Sequence, residues 1–366
     1  MKKISFLLTI AMVISLLAGC AGTPVIYYTN CTCPVGSHEA APTEAAPAVT
    51  EAPAAEAPAV EGAVKTGMFI ASNIAESKNA TADENGEVKY DVTVVAVNVD
   101  DNGIITDCVI DSLGTSVTFD ASGVITSDVT APVLTKTELG DDYGMKAYAG
   151  ATYEWYEQAA ALADYAVGKT IDELRNGAVD ETGHAVDADL ASTATIYLGG
   201  YVNAIELAVG TAKHLGAQAG DELKLAVMPN VKDSASADAE NAGNAQLNLD
   251  AVALTMNGDT ITSCYIDSLQ AKAAFDAAGA ITTDLNVEFA TKNMLGEQYG
   301  MVAWGGAIAE WDQQAASFAS YVTGKTLDEV AGIAVNESTK PADADLAASV
   351  TIAIGGFQAL IAKAAQ

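Results

Sequence analysis

Two stretches of this chain have the same pattern: YDVTVVAVNVDDNGIITDCVIDSL at residues 90–113 and QLNLDAVALTMNGDTITSCYIDSL at residues 246–269. In each, two runs of largely alternating apolar and polar residues flank a short Asn/Asp/Gly segment. Alternation with a period of two is typical of a half-buried strand, and an Asn-Gly or Asp-Gly turn between two such runs predicts a β-hairpin. The chain is therefore expected to contain the same antiparallel hairpin twice.

The hairpins belong to a longer internal repeat. From Cys108 to about Leu207, every residue has a counterpart 156 positions later, without a gap. For example, LGDDYGM (139–145) corresponds to LGEQYGM (295–301). Upstream of this range, the spacing of the hairpin turns suggests that the correspondence slips by one residue. A residue kept in both copies is needed by the repeated unit, so the chain can be compared with itself.

Within each copy the strand pattern comes first and a helical pattern follows. A second hairpin is expected to turn at 120–123 and at 276–279, and the helical period begins in YEWYEQAAALADYAVG (153–168) and AEWDQQAASFASYVTG (309–324). Thr170 and Thr326 have the capping-box spacing, and the Gly-Gly pairs at 199–200 and 355–356 mark either a helix start or a kink. This order predicts an α+β fold of two tandem domains, residues 65–214 and 221–366, each an antiparallel sheet built from hairpins followed by C-terminal helices. Each copy is long enough to bury a core of its own.

The N-terminus has the pattern of a targeting segment. Lys2 and Lys3 precede an apolar run at 4–18, which ends in Leu17-Ala18-Gly19-Cys20. This string resembles the signal of bacterial lipoproteins, which implies cleavage before Cys20, acyl chains on Cys20 and a place on the extracytoplasmic face of the cell membrane. Residues 21–64 are rich in Ala, Pro and Glu and are expected to form a disordered tether. A flexible coil of that length reaches roughly 35–40 Å.

Charge and cysteine usage narrow the range of partners. With 17 basic and 48 acidic residues the net charge is −31, which argues against nucleic acid and against anionic lipid headgroups. Cys108 and Cys264 are the same position of the two copies and are expected to be buried core residues. Cys31 and Cys33 could pair with another protein, bind a metal weakly or do neither, while the three histidines have no counterparts, so no metal site is predicted.

The sequence contains none of the common catalytic patterns: no glycine-rich phosphate loop, no zinc-ligand spacing and no serine nucleophile elbow. Asp111 and Asp267 occur in both copies, but their position at the expected end of a strand favours a turn or a partner-binding role over acid catalysis. No catalytic residue is therefore assigned, and a carrier or binding protein is favoured over an enzyme.

The segment before the last helix suggests a cofactor. Asp189-Leu-Ala-Ser192-Thr193-Ala194-Thr195 resembles the flavinylation motif of FMN-binding domains, Asp-x-x-Ser/Thr-Gly-Ala-Thr. The resemblance implies that the Thr195 hydroxyl is esterified to the phosphate of FMN by a flavin transferase, and that a phosphate lies at a helix start. Thr193 replaces the glycine of the motif, and the second copy keeps only Asp345 and Thr351. The alternative is that both threonines cap or pack a helix.

Other residues shared by the copies are candidates for the same site. Tyr143 and Met145, like Tyr299 and Met301, could contact a planar ring. Lys136 and Lys292 could hold a phosphate or could pair with nearby acids. Two functions remain open. One is an FMN-carrying lipoprotein that transfers electrons to a redox partner. The other is a non-redox lipoprotein whose repeats bind a small ligand or a protein, or serve a structural role.

Overall fold

The computed structural model describes residues 62–366, and the expected signal segment, most of the tether, Cys20, Cys31 and Cys33 lie outside them. The first repeat contains three strands followed by six α-helices, with a 3₁₀ turn at Gly140–Tyr143. Their bounds are β1 (Lys65–Asn73), β2 (Gly86–Val99), β3 (Ile105–Phe119), α1 (Lys136–Leu139), α2 (Met145–Ala149), α3 (Trp155–Ala166), α4 (Ile171–Gly177), α5 (Ala188–Thr193) and α6 (Gly199–Thr211).

The second repeat has the same elements in the same order, with a 3₁₀ turn at Gly296–Tyr299. Their bounds are β4 (Glu222–Asn230), β5 (Gly243–Asn257), β6 (Thr260–Phe275), α7 (Lys292–Leu295), α8 (Met301–Gly305), α9 (Trp311–Val322), α10 (Leu327–Ala331), α11 (Ala344–Ala347) and α12 (Gly355–Ala364). The predicted α+β class, with two similar units of sheet followed by helices, is confirmed.

Each repeat forms one antiparallel sheet, in the order β1-β2-β3 or β4-β5-β6. The central hairpins have the expected register, and each has a bulge near its turn, between Asn98 and Val99 and between Thr255 and Met256. The predicted one-residue slip is confirmed. Gly86, before the turn, corresponds to Gly243, which is 157 positions later. Phe119, after the turn, corresponds to Phe275, which is 156 positions later. The turn of the first repeat is thus one residue longer.

The two sheets pack on each other and share one core. On β2, Val92 and Val94 face the second repeat's sheet, whereas Val95 and Val97 face the first repeat's helices. The second repeat alternates in the same way, so the layers run helices, sheet, sheet, helices. The expectation that each repeat buries a core of its own is therefore only half right, because the inner face of each sheet is covered by the other sheet.

A local two-fold axis relates the repeats. The N–H of Ala80 donates to Gly279 O, and its counterpart, the N–H of Ala237, donates to Gly123 O, both at 2.8 Å. Such reciprocal bonds are the signature of an isologous interface, here formed within one chain. The shared core is thus a pseudo-symmetric contact between two copies of one structural unit.

Strand length is where the sequence-based expectation was wrong. β3 continues to Phe119, because Leu113, Val117 and Phe119 keep facing the shared core. The expected second hairpin consists of a single bridge between Phe119 and Ile125, and its counterpart is equally short. Asp111 and its counterpart therefore lie within long strands and not at strand ends.

The helix boundaries follow local signals. Thr170 and Thr326 form the expected capping boxes, and each Gly-Gly pair begins the last helix, so no kink occurs there. The first repeat begins slightly before residue 65, because Val64 is buried and its N–H donates to Ala217 O. The segment after α6 is thereby held against the start of β1.

Candidate functional site

Each repeat holds a lysine amine against two aromatic rings, an arrangement called here the Lys–Tyr–Trp stack. Lys136 Nζ lies 5.2 Å from the centroid of the Tyr143 ring and 5.1 Å from that of Trp155. In the second repeat, Lys292 Nζ lies 5.1 Å from Tyr299 and 4.8 Å from Trp311. All four distances are within the range of cation–π attraction. The lysine, tyrosine and tryptophan of one stack are each 156 positions from their counterparts in the other.

These lysines were expected either to hold a phosphate or to pair with acids. Among residues 62–366, no carboxylate lies within ion-pair distance of either amine. This is notable in a chain of net charge −31. The aromatic faces stabilise each cation without neutralising it, so both amines keep the capacity to attract an anion.

The Tyr-Gly-Met loop depends on its glycine. Gly144 has φ +84°, a conformation that only glycine adopts without strain, and a Cβ there would lie 2.5 Å from the Tyr148 ring. The turn starts α2, and the N–H groups of Met145 and Lys146 donate to the buried carboxylate of Glu154, at 2.8 and 2.9 Å. The loop is therefore fixed to the start of α3.

A buried glutamine on α3 holds the predicted acceptor threonine. Gln158 Oε1 accepts the N–H of Thr195 at 2.8 Å, the N–H of Ile196 at 3.1 Å and the Thr195 hydroxyl at 3.3 Å. Gln314 does the same for Thr351, whose hydroxyl donates at 3.0 Å. Thr195 is exposed, whereas Thr351 is half-buried.

This arrangement differs from the expected one in one respect. Thr195 lies in the connector between α5 and α6 and not at the start of either helix. Its own N–H and that of Ile196 are used by Gln158. A phosphate at this place would therefore depend on the hydroxyl and on side-chain cations, and not on backbone N–H groups.

The structure brings some predicted residues together and separates others. In each repeat, four predicted residues lie around the first turns of α3 or α9. The lysine contacts the tryptophan, the methionine N–H donates to the glutamate, the threonine donates to the glutamine, and the tyrosine joins this group through the lysine. Asp189, Ser192 and Asp345 are exposed on the short helices α5 and α11. The Ser192 hydroxyl donates only to Asp189 O, at 2.7 Å.

Two kinds of residue in this region were not predicted from the sequence. Glu154 and Gln158 are polar yet fully buried, and they organise the loop and the connector. Tyr148 and Trp304 occupy the same position of the two repeats and are 90% and 89% exposed. The internal repeat could have identified them all. Glu154 and Gln158 recur as Glu310 and Gln314, and a large aromatic residue is found at both 148 and 304.

The expected cysteine environment is confirmed in outline. Cys108 and Cys264 are free thiols, the first half-buried and the second buried, and burial raises the pKa of both.

Within residues 62–366, no three His, Cys, Asp or Glu side chains are grouped in a way that could hold a metal ion. No helix in this part of the chain has both the length and the apolar character needed to cross a membrane.

Comparison of the chain with protein-family models, with curated proteins and with solved structures gives no match.

Proposed function

We propose that this chain is a lipoprotein, anchored through Cys20 on the extracytoplasmic face of the cell membrane, that carries FMN and transfers electrons to a redox partner. The observation that supports this most directly is the acid-free Lys–Tyr–Trp stack, present in both repeats. Each stack shares a helix with the glutamine that holds Thr195 or Thr351. A cation, aromatic faces and a hydroxyl are the groups needed to hold a flavin phosphate.

Thr195 is the better acceptor of the two threonines. Its side chain is exposed, and its hydroxyl oxygen keeps a free lone pair while its hydrogen points to Gln158 Oε1 at 3.3 Å. A flavin transferase can reach this oxygen, which would attack the FMN-side phosphorus of FAD. The new phosphate ester to Thr195 then replaces the pyrophosphate bond, AMP leaves, and the hydroxyl proton passes to a base of the transferase. Thr351 is less accessible and more tightly bonded, at 3.0 Å. The first repeat is therefore expected to be modified before the second.

The remaining residues would position the cofactor. Lys136, which has no acid partner among the described residues, would attract the phosphate, and the exposed ring of Tyr148 offers a face for the flavin ring. The redox chemistry is supplied by the flavin itself when it is bound. The protein's own contribution is attachment, orientation and the negative field of its surface.

A non-redox binding lipoprotein is the second candidate. It is favoured by the use of the Thr195 and Ile196 N–H groups by Gln158, which leaves no backbone cradle for phosphate, and by Thr193 in place of the motif's glycine. It is also favoured by a ligand-sized cavity between the repeats.

Intact mass and a visible spectrum test the proposal. A soluble form lacking residues 1–20 is produced with a flavin transferase in an extracytoplasmic compartment. We expect a yellow protein with an FMN-sized mass addition that is lost in Thr195→Val and kept in Thr130→Val, a control in which an exposed threonine elsewhere is changed in the same way. A colourless protein at its unmodified mass, or flavin retained in a Thr195→Val, Thr351→Val double variant, would reject the assignment.

A further inference from the structure

The segment 301–308, which contains α8 and the turn after it, has an exposed apolar surface. Val302, Trp304 and Ile308 are 46%, 89% and 57% exposed. No charged side chain occurs between Glu297 and Glu310, and Glu310 is itself buried. Single exposed apolar residues are normal on a protein surface, whereas three on one short loop form a patch, which is typical of a contact site. Val302, Trp304 and Ile308 together are called here the Trp304 tip.

The first repeat has the same loop with a different surface. In both repeats the short helix lies between two glycines of positive φ, and a buried glutamate accepts the first N–H groups of the loop. In the first repeat, however, Lys146 forms an ion pair with Glu157 at 2.7 Å. The second repeat has uncharged residues at the equivalent positions: Val302 for Lys146, Gln313 for Glu157 and Ile308 for Thr152. An ion pair is thus exchanged for apolar side chains on a loop of the same form.

The Trp304 tip is held in place before any contact is made. The N–H groups of Met301 and Val302 donate to the Glu310 carboxylate at 2.8 and 3.0 Å. A Cβ at Gly300 would lie 2.1 Å from the Trp304 ring, so one side of the indole lies against this glycine. The loop therefore loses little conformational freedom when its exposed side chains enter an apolar phase.

The size and the chemistry of the tip favour a lipid bilayer over a protein partner. Each partner in a standard protein complex contributes about 800 Å² of surface with a polar rim, and three side chains on one loop provide much less. Entry into a bilayer requires no complementary shape. Trp is one of the residue types that prefer the boundary between headgroups and acyl chains, because its ring is apolar and its N–H is polar.

Charge decides which kind of bilayer surface fits. Because residues 298–309 carry no charged side chain, the tip can enter the headgroup region without bringing a carboxylate with it. The chain as a whole has a net charge of −31, and this charge repels anionic headgroups. A surface of zwitterionic lipid attracts the apolar tip and does not repel the rest of the protein.

We propose that the Trp304 tip enters the headgroup region of a zwitterionic bilayer and holds the second repeat against the membrane surface. The role of this contact rests on the membrane location proposed above, whereas the contact itself uses only residues of the second repeat. A weak second contact strengthens a lipid anchor, because the anchored chain is already concentrated at the surface. The tip thus adds a direct membrane contact to the anchor at Cys20.

Tryptophan fluorescence of the flavin-free soluble form lacking residues 1–20 tests this. The other two tryptophans, Trp155 and Trp311, are buried, so Trp304 is the one whose emission responds to a change of surroundings. With phosphatidylcholine vesicles we expect emission at shorter wavelength and weaker quenching by acrylamide, and about tenfold weaker binding to phosphatidylglycerol vesicles at low salt. An unchanged spectrum at about 10 mM phosphatidylcholine, or tighter binding to the anionic vesicles, rejects the proposal. A Trp304-dependent dimer without vesicle binding would assign the tip to a second copy of the chain.

Flotation of variants with the same vesicles locates the contact. Trp304→Ala should weaken binding about tenfold or more, and so should Val302→Lys, which gives this loop the residue of the first repeat. Tyr148→Ala, at the equivalent and equally exposed position, is the matched control and should bind like the native chain. All three positions are exposed, so thermal unfolding should stay the same. Unchanged binding in Trp304→Ala, or an equal loss in Tyr148→Ala, would overturn the assignment. Because the tested form carries neither lipid nor flavin, either result leaves the proposals for Cys20 and Thr195 to their own test.

Discussion

Phe119 and Phe275 stack ring on ring, with centroids 4.1 Å apart and planes 4° from parallel. They are the last residues of β3 and β6 and occupy the same position of the two repeats. The local two-fold axis therefore passes between the two rings. Since both are fully buried in the shared core, each repeat completes the core of the other.

This stack predicts that the repeats unfold together. Phe119→Ala should lower the free energy of unfolding by about 3–5 kcal/mol, as expected for a large buried side chain. Urea unfolding followed by circular dichroism and by tryptophan fluorescence should give one coincident transition. In the double variant with Phe275→Ala the loss should be smaller than the sum of the single losses, because the second ring has already lost its partner. Additive losses or two separate transitions would contradict a shared core.

Gln158 and Gln314 provide a matched pair for testing the connector. Gln158→Leu leaves the N–H groups of Thr195 and Ile196 without their acceptor, at a cost of about 1–3 kcal/mol. We expect faster hydrogen exchange at those two amides and no change at Thr351 and Ile352. Gln314→Leu should give the mirror-image result. Exchange that stays slow at Thr195 in Gln158→Leu would show that the glutamine does not hold the connector.

Asp267 predicts a pH dependence of stability. Its pKa is raised from 3.8 to about 6 in the folded chain, chiefly by loss of solvent. The folded state therefore favours the protonated carboxyl, and this contribution is complete below pH 3.8 and is lost as the pH rises to about 6. Relative to Asp267→Asn, the native chain should lose up to about 3 kcal/mol across that window. Urea midpoints measured between pH 3.5 and 7 provide the test, and a difference that does not change with pH would refute it.

The contacts of Lys363 predict that an added alkylamine restores part of the stability lost when this side chain is removed. Lys363→Ala removes the amine that donates to Val227 O and pairs with Glu138, together with most of its alkyl chain. We expect a loss of about 1–2 kcal/mol, because a half-exposed ion pair and the hydrogen bond to Val227 O lose their shared cation. Butylamine should restore part of the melting temperature, whereas butan-1-ol should not. Lys340→Ala, at an exposed position, serves as the control.

Tyr148 and Trp304 predict an effect on flavin without an effect on the fold. Because they are 90% and 89% exposed, Tyr148→Ala should change stability by no more than about 0.5 kcal/mol. In the FMN-loaded protein, its loss should raise flavin fluorescence, since a stacked phenol quenches the excited ring. Trp304→Ala should have no such effect when only Thr195 carries flavin. Unchanged fluorescence in Tyr148→Ala would place the flavin ring away from α2.

Much of the fold follows from patterns of short range. The internal repeat, the hairpin turn at 101–103 and the capping boxes at Thr170 and Thr326 depend on neighbouring residues, and the structure has them where expected. The ends of the strands do not follow from neighbouring residues in this way. β3 continues through Gly114 to Phe119, because Leu113, Val117 and Phe119 find apolar partners on another sheet, which local propensity does not reveal.

The candidate site, too, could be predicted from the sequence only in part. The sequence by itself determined which residues recur, and so marked Lys136, Tyr143, Met145 and Thr195 with their counterparts as members of one set. Only the tertiary structure decided that the lysines lie on aromatic rings and not on acids, and that Gln158 occupies the N–H groups beside Thr195. The cavity between the repeats was also invisible in the sequence, because its walls come from segments of both repeats that are far apart in the chain. A linear pattern records the faces and turns of each repeat, whereas the partner of a buried charge is chosen by distances between segments far apart in the chain.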